Sequence, residues 1–294
     1  MKTSLTVCAV QQFCNQDRQT NLDASIAKIH EAATNHADLV VLPELHLDPY
    51  FCQNEDFNHF DLAQAIPGPT TEILSELAKK LGIVIVSTLF EKRAAGLYHN
   101  TAVVFDKDGS LAGKYRKMHI PDDPGFYEKY YFTPGDLGFK PIETSIGKLG
   151  VLVCWDQWFP EAARLMALAG AEILIYPTAI GWDPNDNADE QQRQLNAWIT
   201  IQRSHAIANG IPVIACNRVG FEKAPDSDAG INFWGNSFIA GPQGDVLVNA
   251  DASEPNLLTY KIDKTKTERV RQIWPYLRDR RIDEYGDLVK RYID

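Results

Sequence analysis

The sequence predicts an α/β protein, a four-layer α-β-β-α sandwich made of two halves related by a pseudo-two-fold. Three observations carry this expectation: an internal duplication, an alternation of strand and helix signals within each half, and short apolar runs of the kind that buried strands have. The duplication is faint but ordered. Leu5-Thr6-Val7 is echoed by Leu149-Gly150-Val151, and Ala37 through Glu44 by Ala171 through Thr178. Leu81-Gly82-Ile83-Val84-Ile85-Val86 is echoed by Asn209 through Ile214, and Asn100-Thr101 leading to Asp108-Gly109 by Asn236-Ser237 leading to Gln243-Gly244. Two sheets that each need one face covered by helices assemble most economically as one domain of two halves.

Taken in order, Asn21 to Ala33 is helical, because Leu22, Ile26, Ile29 and Ala33 recur at helix spacing. Leu39–Leu42 is a strand. Thr70 and Thr71 can cap a helix bearing Ile73, Leu74, Leu77 and Leu81, and Gly82 suits its end. Strands follow at Ile83–Leu89 and Thr101–Phe105, with a turn at Asp108-Gly109 and a further strand at Leu111–Tyr115. In the second half Leu149–Val153 is a strand, Pro160–Ala169 a helix stopped by Gly170, and Ile173–Tyr176 a strand. A long helix runs from about Asp189 to Asn209, and Leu257–Ile262 is the last strand.

Of the 294 residues 45% are hydrophobic and 23% charged, the proportions of a globular protein with ample core. No apolar run approaches the roughly 20 residues that span a bilayer. Met1-Lys2-Thr3-Ser4-Leu5 leads straight into a strand without a cleavage site, so a cytoplasmic protein is expected. Five cysteines (Cys8, Cys14, Cys52, Cys154, Cys216) form no CxxC pair, and the seven histidines no HExxH. Neither a disulfide framework nor a metal site is expected, and no cofactor is called for. A net charge of −10 disfavours nucleic acid and anionic membranes as partners. The charge is uneven: residues 264–294 carry nine Lys/Arg against six Asp/Glu, a net +3, which leaves −13 on the rest.

Functional groups in open α/β sheets gather at the carboxyl ends of strands. Glu44, Lys117 and Cys154 fall at such ends. A thiol at a strand-to-helix turn sits near helix N–H groups that favour the thiolate, although free cysteines are also among the most buried residue types. Lys117 lies in Lys114-Tyr115-Arg116-Lys117-Met118-His119, a basic run that could equally be a solvated loop. Glu44 is flanked by apolar residues at the end of a buried strand and needs a partner, which a lysine would supply.

Pro43-Glu44, Lys117-Met118-His119 and Val153-Cys154-Trp155-Asp156, in this order and spacing, resemble the nitrilase superfamily of carbon–nitrogen hydrolases over nearly the whole chain. The duplicated halves are similar to that family's sandwich. The resemblance implies that Glu44 acts as base toward the Cys154 thiol, while Lys117 and the backbone N–H of Trp155 stabilise the oxyanion. It also implies a supporting role for Glu128. The stretches around Tyr50, Glu128, Cys154, Ala179-Ile180-Gly181 and Trp274-Pro275 resemble most closely the amidase branch that converts N-carbamoylputrescine to putrescine, carbon dioxide and ammonia. A small cationic ureido substrate is thus expected, in contact with Tyr50, Ala179, Gly181, Trp182 and Asp183. Asp183 is the first choice for its ammonium, with Trp182 beside it for a cation–π contact.

Three other readings stay open: a carbamoyl amino-acid or ω-amide hydrolase, a non-catalytic interaction module, and a Cys–His hydrolase using His119. Residues 1–263 are expected to form the hydrolase domain and 264–294 an extension. That extension holds Trp274, Tyr276, Leu277, Tyr285 and Tyr292, which suits the interface of a homo-oligomer, at least a dimer.

Overall fold

The computed structural model describes residues 3–183, 185–224 and 228–294. The first half runs β1 (Ser4–Gln11), α1 (Arg18–Thr34), β2 (Leu39–Val41), α2 (Pro69–Leu81), β3 (Val84–Ala94), β4 (Leu97–Phe105) and β5 (Leu111–Arg116). The short helix α3 (Glu128–Tyr131) and β6 (Ile142–Thr144) lead into the second half. There follow β7 (Gly147–Val151), α4 (Pro160–Leu168), β8 (Ile173–Thr178), β9 (Gly181–Trp182), α5 (Ala188–Asn209) and β10 (Val213–Asn217). Next come β11 (Val219–Lys223), β12 (Gly230–Trp234), β13 (Phe238–Ala240) and β14 (Val246–Asn249). The chain then returns to the first sheet as β15 (Asn256–Asp263) and continues as α6 (Lys264–Ile273).

The echoes in the sequence are a duplication of topology. One sheet has the order β15-β1-β2-β3-β4-β5 and the other, read in the matching direction, β6-β7-β8-β10-β13-β14. In each, the second to fourth strands are parallel and the rest antiparallel. The echoed segments lie in or beside β1 and β7, β2 and β8, β3 and β10, and β4 and β13.

Period-two alternation builds the layers. Val7, Ala9, Leu39, Val41, Val84 and Val86 pack in one cluster with Val151, Val153, Ile173, Ile175 and Ala215 of the other sheet. The intervening Cys8, Val10, Val40, Ile83 and Ile85 meet Ile29 and Ala32 of α1 and Leu74 and Ala78 of α2. On the second sheet, α4 brings Ala162, Ala163 and Met166, and α5 brings Trp198 and Ala206. Both faces of each sheet are covered, which is why the strands read as unbroken apolar runs.

Some boundaries differ from the expected ones for local reasons. Helix α1 starts at Arg18, where Asp17 accepts the N–H of Thr20 at 2.8 Å; its polar first turn hides it from an apolar period. Helix α2 is capped by Gly68 rather than Thr70 or Thr71, because Pro69 takes the first helical position, and Thr71 Oγ1 accepts the Gly68 N–H at 2.7 Å. Gly82 ends it in the left-handed region at φ 66°. A small third sheet, β11-β12-β9, was not expected, since its strands are short and β9 has only two residues. No helix among the described residues is long and apolar enough to cross a membrane.

Candidate active site

Glu44 follows the end of β2, Lys117 follows β5, and Cys154 follows β7, so the three come from both halves. Glu44 and Lys117 have no exposed surface and Cys154 almost none. The Glu44 N–H donates to Thr178 O at 3.3 Å, which ties the exit of β2 to the end of β8. Glu44 Oε1 accepts the Asn100 amide at 2.7 Å and the Lys117 ammonium at 2.8 Å. Its Oε2 is buried without a partner. A buried carboxylate oxygen left free is costly unless something arrives to use it, and it is an oxygen able to take a proton.

Lys117 Nζ also donates to Glu128, at 2.9 Å to Oε1 and 2.7 Å to Oε2. Burial opposes its charge, but Glu128 and Glu44 outweigh that and hold Lys117 well above the ordinary lysine range, hence protonated. Burial pushes Glu128 up to about 7, against the pull of Lys117 and with the push of Glu44. The Tyr50 hydroxyl donates to Glu128 Oε1 at 2.7 Å. Gly135 makes this strand exit possible. Its N–H donates to Lys117 O at 2.8 Å, and a Cβ there would stand 2.0 Å from Arg116 O.

Cys154 opens a single 3-10 turn, Cys154–Trp158, with φ 43°, a left-handed conformation uncommon for a residue with a side chain. Asp156 holds the turn. Its Oδ2 accepts Val153 N–H at 2.9 Å and the Tyr115 hydroxyl at 2.8 Å, and its Oδ1 accepts His119 N–H at 3.1 Å. It thereby joins the Cys154 turn to residues on both sides of Lys117. The N–H groups that favour a thiolate at such a turn are outweighed here. Burial and the Glu44 carboxylate push the thiol well above its ordinary range, and Lys117 only partly opposes them. Cys154 rests as a thiol and needs a base. His119 is turned to Asp156, with Nδ1 2.7 Å from Oδ1, and stacks on Phe159 at 3.7 Å. Trp155 N–H falls in the first turn, where helical geometry leaves it without an intrahelical acceptor.

A cavity of ≈ 440 Å³ opens over Cys154 and Trp155. Ala179, Gly181 and Asp183 line it. Gly181 is needed there: a Cβ would lie 2.4 Å from Asn232 O. Asn217 holds the same wall, accepting Ile180 N–H and donating to Ile180 O, each at 3.0 Å. Two expected contacts lie elsewhere. Tyr50 is buried behind the cavity against Glu128, and Trp182 turns its indole N–H to Gln191 O at 3.0 Å and its ring to Trp234.

Asp123 and Asp186 also line the cavity, and the sequence reading missed Asp123. It opens a turn in which Phe126 N–H returns to Asp123 O at 2.8 Å, with Pro124 second and Gly125 third at φ 80°. Its Oδ1 is buried without a partner, and burial raises its carboxyl. An Asp-Pro-Gly string announces the turn, but nothing local announces that the turn closes over a distant cysteine. Among the described residues no group of His, Cys, Asp and Glu could hold a metal ion.

A family model described as carbon-nitrogen hydrolase matches residues 5–272. The chain belongs to the carbon–nitrogen hydrolases of the nitrilase superfamily. This hydrolase is 43% identical to an N-carbamoylputrescine amidase of Solanum lycopersicum, over 97% of this chain and 95% of that one. It is 42% identical to a citrullinase of Francisella tularensis, over 98% and 99%. A carbon-nitrogen hydrolase of Helicobacter pylori has the same fold, with TM-score 0.95, 55% identity and coverage of 99% and 100%. The chain is accordingly an enzyme that hydrolyses carbon–nitrogen bonds.

Proposed function

We propose that the protein hydrolyses N-carbamoylputrescine to putrescine, carbon dioxide and ammonia through a thioester on Cys154. One observation carries the choice of substrate. The cavity over Cys154 has three carboxylates on its wall, Asp123, Asp183 and Asp186, and no Lys, Arg or His among its described lining residues. Such a wall attracts an alkylammonium and repels a carboxylate.

In this reading Glu44 Oε2 takes the thiol proton as Cys154 Sγ bonds to the ureido carbon. Lys117 Nζ and Trp155 N–H receive the developing oxyanion. The C–N bond to the terminal nitrogen breaks, and the proton held by Glu44 leaves with it as ammonia. Water, deprotonated by Glu44, then attacks the thiocarbamate, the C–S bond breaks, and the thiol recovers its proton. The carbamate that departs loses carbon dioxide to leave putrescine. Glu128 keeps Lys117 charged and aimed.

The similarity to a citrullinase makes the α-amino acid citrulline the competing substrate. Citrulline carries a carboxylate, for which this wall has no cation, so ammonia release from N-carbamoylputrescine is expected to exceed that from citrulline by at least tenfold in kcat/KM. Equal or reversed rates would replace the substrate and leave the chemistry. Asp183→Asn and Asp123→Asn are each expected to raise KM for N-carbamoylputrescine about tenfold or more, the value of one charge-assisted hydrogen bond. Butylurea, which lacks the ammonium, should be much less affected. A variant that changes both substrates alike does not read the amine.

We further propose that residues 1–263 form the hydrolase domain and that the extension, 264–294, lies in the interface of a homo-oligomer. Helix α6 buries Val270, but beyond it Trp274, Leu288, Val289 and Tyr292 are 50%, 63%, 93% and 80% exposed in the single chain. Exposed aromatic and aliphatic groups in one short segment support a surface that a second copy covers. Light scattering is expected to give at least a dimer at micromolar concentration and a smaller particle after truncation at Lys264. A monomeric mass for the whole chain would exclude the assembly, and an unchanged mass after truncation would exclude the segment's role.

A further inference from the structure

Arg218, between β10 and β11, has no exposed surface. A buried guanidinium is expensive, and its cost is met only where its donors are used. Here most of them go to one loop. Nε donates to Glu44 O at 3.0 Å, Nη1 to Asp48 O at 3.0 Å, and Nη2 to Leu45 O. The ion pair is completed by Glu222, whose Oε1 accepts from Nη1 at 2.9 Å. Glu222 turns its Oε2 to the same loop and accepts the Tyr50 N–H at 2.6 Å. The guanidinium carbon lies 5.8 Å from the Tyr50 ring centre and 5.6 Å from that of Phe233.

One buried pair from the second half thus grips the main chain at 44, 45, 48 and 50 in the first half. The gripped stretch carries Glu44 at one end and Tyr50, the partner of Glu128, at the other. Between them Leu45 is held at φ 48°, a conformation a leucine leaves when nothing enforces it. The other anchor of Leu45 is its N–H, which donates to Thr88 Oγ1 at 2.6 Å. A pair serving stability alone would need no such aim, since packed apolar side chains do that as well.

We propose that the Arg218–Glu222 pair is a positioning device for the reaction, setting the backbone from which the free oxygen of Glu44 meets the thiol and Tyr50 meets Glu128. The proposal rests on Glu44 acting as the base, but not on the identity of the substrate. Neither residue touches the reacting atoms, so both act through Glu44.

Arg218→Lys and Glu222→Gln test it, read by kcat and KM for ammonia release and by the rate of Cys154 alkylation with iodoacetamide. Folding is followed by circular dichroism and melting temperature. Folded variants are expected to lose tenfold or more in kcat with KM moved less than threefold, and to alkylate correspondingly slowly. Combined with Glu44→Gln, either variant should cost far less than the product of the separate effects, because both act on one group. A folded variant with kcat and alkylation within threefold of the wild type overturns the proposal. So does full multiplication with Glu44→Gln, and so does loss of the fold in both variants, which would leave the pair a purely structural role. If Glu44→Gln alone changed nothing, the base assignment would fail instead, a result separable from the others.

Discussion

Cys154→Ala is expected to reduce ammonia release by on the order of 10⁴-fold or more, as removal of a covalent nucleophile does. Among the described lining residues the Cys154 thiol is the group suited to attack, and it feels the charge of Glu44, whose Oε2 is buried without a partner. Cys154→Ser is not expected to rescue, because a hydroxyl is a far weaker acid than a thiol and the same base must deprotonate it. Cys8→Ala and Cys216→Ala should keep most of the activity. Cys216 donates to Val10 O at 2.8 Å between the sheets, and Cys8 lies on the face under α1; losing either costs packing and leaves the cavity untouched. Mass spectrometry after incubation with a slow substrate should find the added mass on the peptide holding Cys154. Activity close to the wild type in Cys154→Ala would end the mechanism.

The geometry of Cys154 marks where sequence reasoning reached and where it stopped. Its place at the end of an apolar strand was legible because β7 is a run buried on both faces, and such runs need no knowledge of the rest of the chain. Its protonation was not. The N–H groups of a five-residue turn are a local feature, and they are outweighed by burial and by Glu44, 110 residues earlier in the chain. The same division runs through the site. The need of Glu44 for a cation followed from its apolar neighbours, and Lys117 was the answer. Asn100 reads in sequence as part of a repeat, yet its amide fills Glu44 Oε1 at 2.7 Å. Asp156 reads as one more residue of a motif, yet three residues, Tyr115, His119 and Val153, turn polar groups to it.

For the fold, the duplication carried most of the information. Four weak echoes in one order stood for four pairs of equivalent strands, and the order of both sheets follows once each half is read as the same wound unit. The third sheet left no such trace, because β9 pairs at only two positions, Gly181 and Trp182, with β12. Trp182 shows the consequence. An indole next to an aspartate in a loop reads as a cation–π wall, but pairing in β9 turns it toward Trp234 and Gln191 and leaves Asp183 to line the cavity. Side-chain direction in a two-residue strand is decided by the partner strand, which is distant in sequence.

Glu44→Gln and Lys117→Ala are each expected to lower kcat by at least roughly a hundredfold, for different reasons. Glutamine retains the carbonyl that Asn100 and Lys117 use but can take a proton neither from the thiol nor from the water that must cleave the thioester, so neither step has its base and the loss should persist across pH. Lys117→Ala removes the cation proposed for the oxyanion and also strips Glu44 and Glu128 of the ammonium they share. Glu128 already stands at about 7 with the ammonium present, and Lys117 is what pulls it down. Without that pull burial pushes Glu128 higher still, so it takes up a proton at neutral pH that only rising pH removes. The sign follows: residual activity of Lys117→Ala should climb as pH rises, with the acid limb of its kcat/KM profile displaced upward from the wild type, while Glu44→Gln shows no such recovery. Stability should divide the two variants as well. Stripping the cation from two buried carboxylates costs about 3–5 kcal/mol by the usual measure of a broken buried pair, whereas glutamine for glutamate leaves Lys117 paired with Glu128. A Lys117→Ala protein with kcat within a few-fold of the wild type and an unshifted acid limb would remove Lys117 from the reaction and leave it a structural ion.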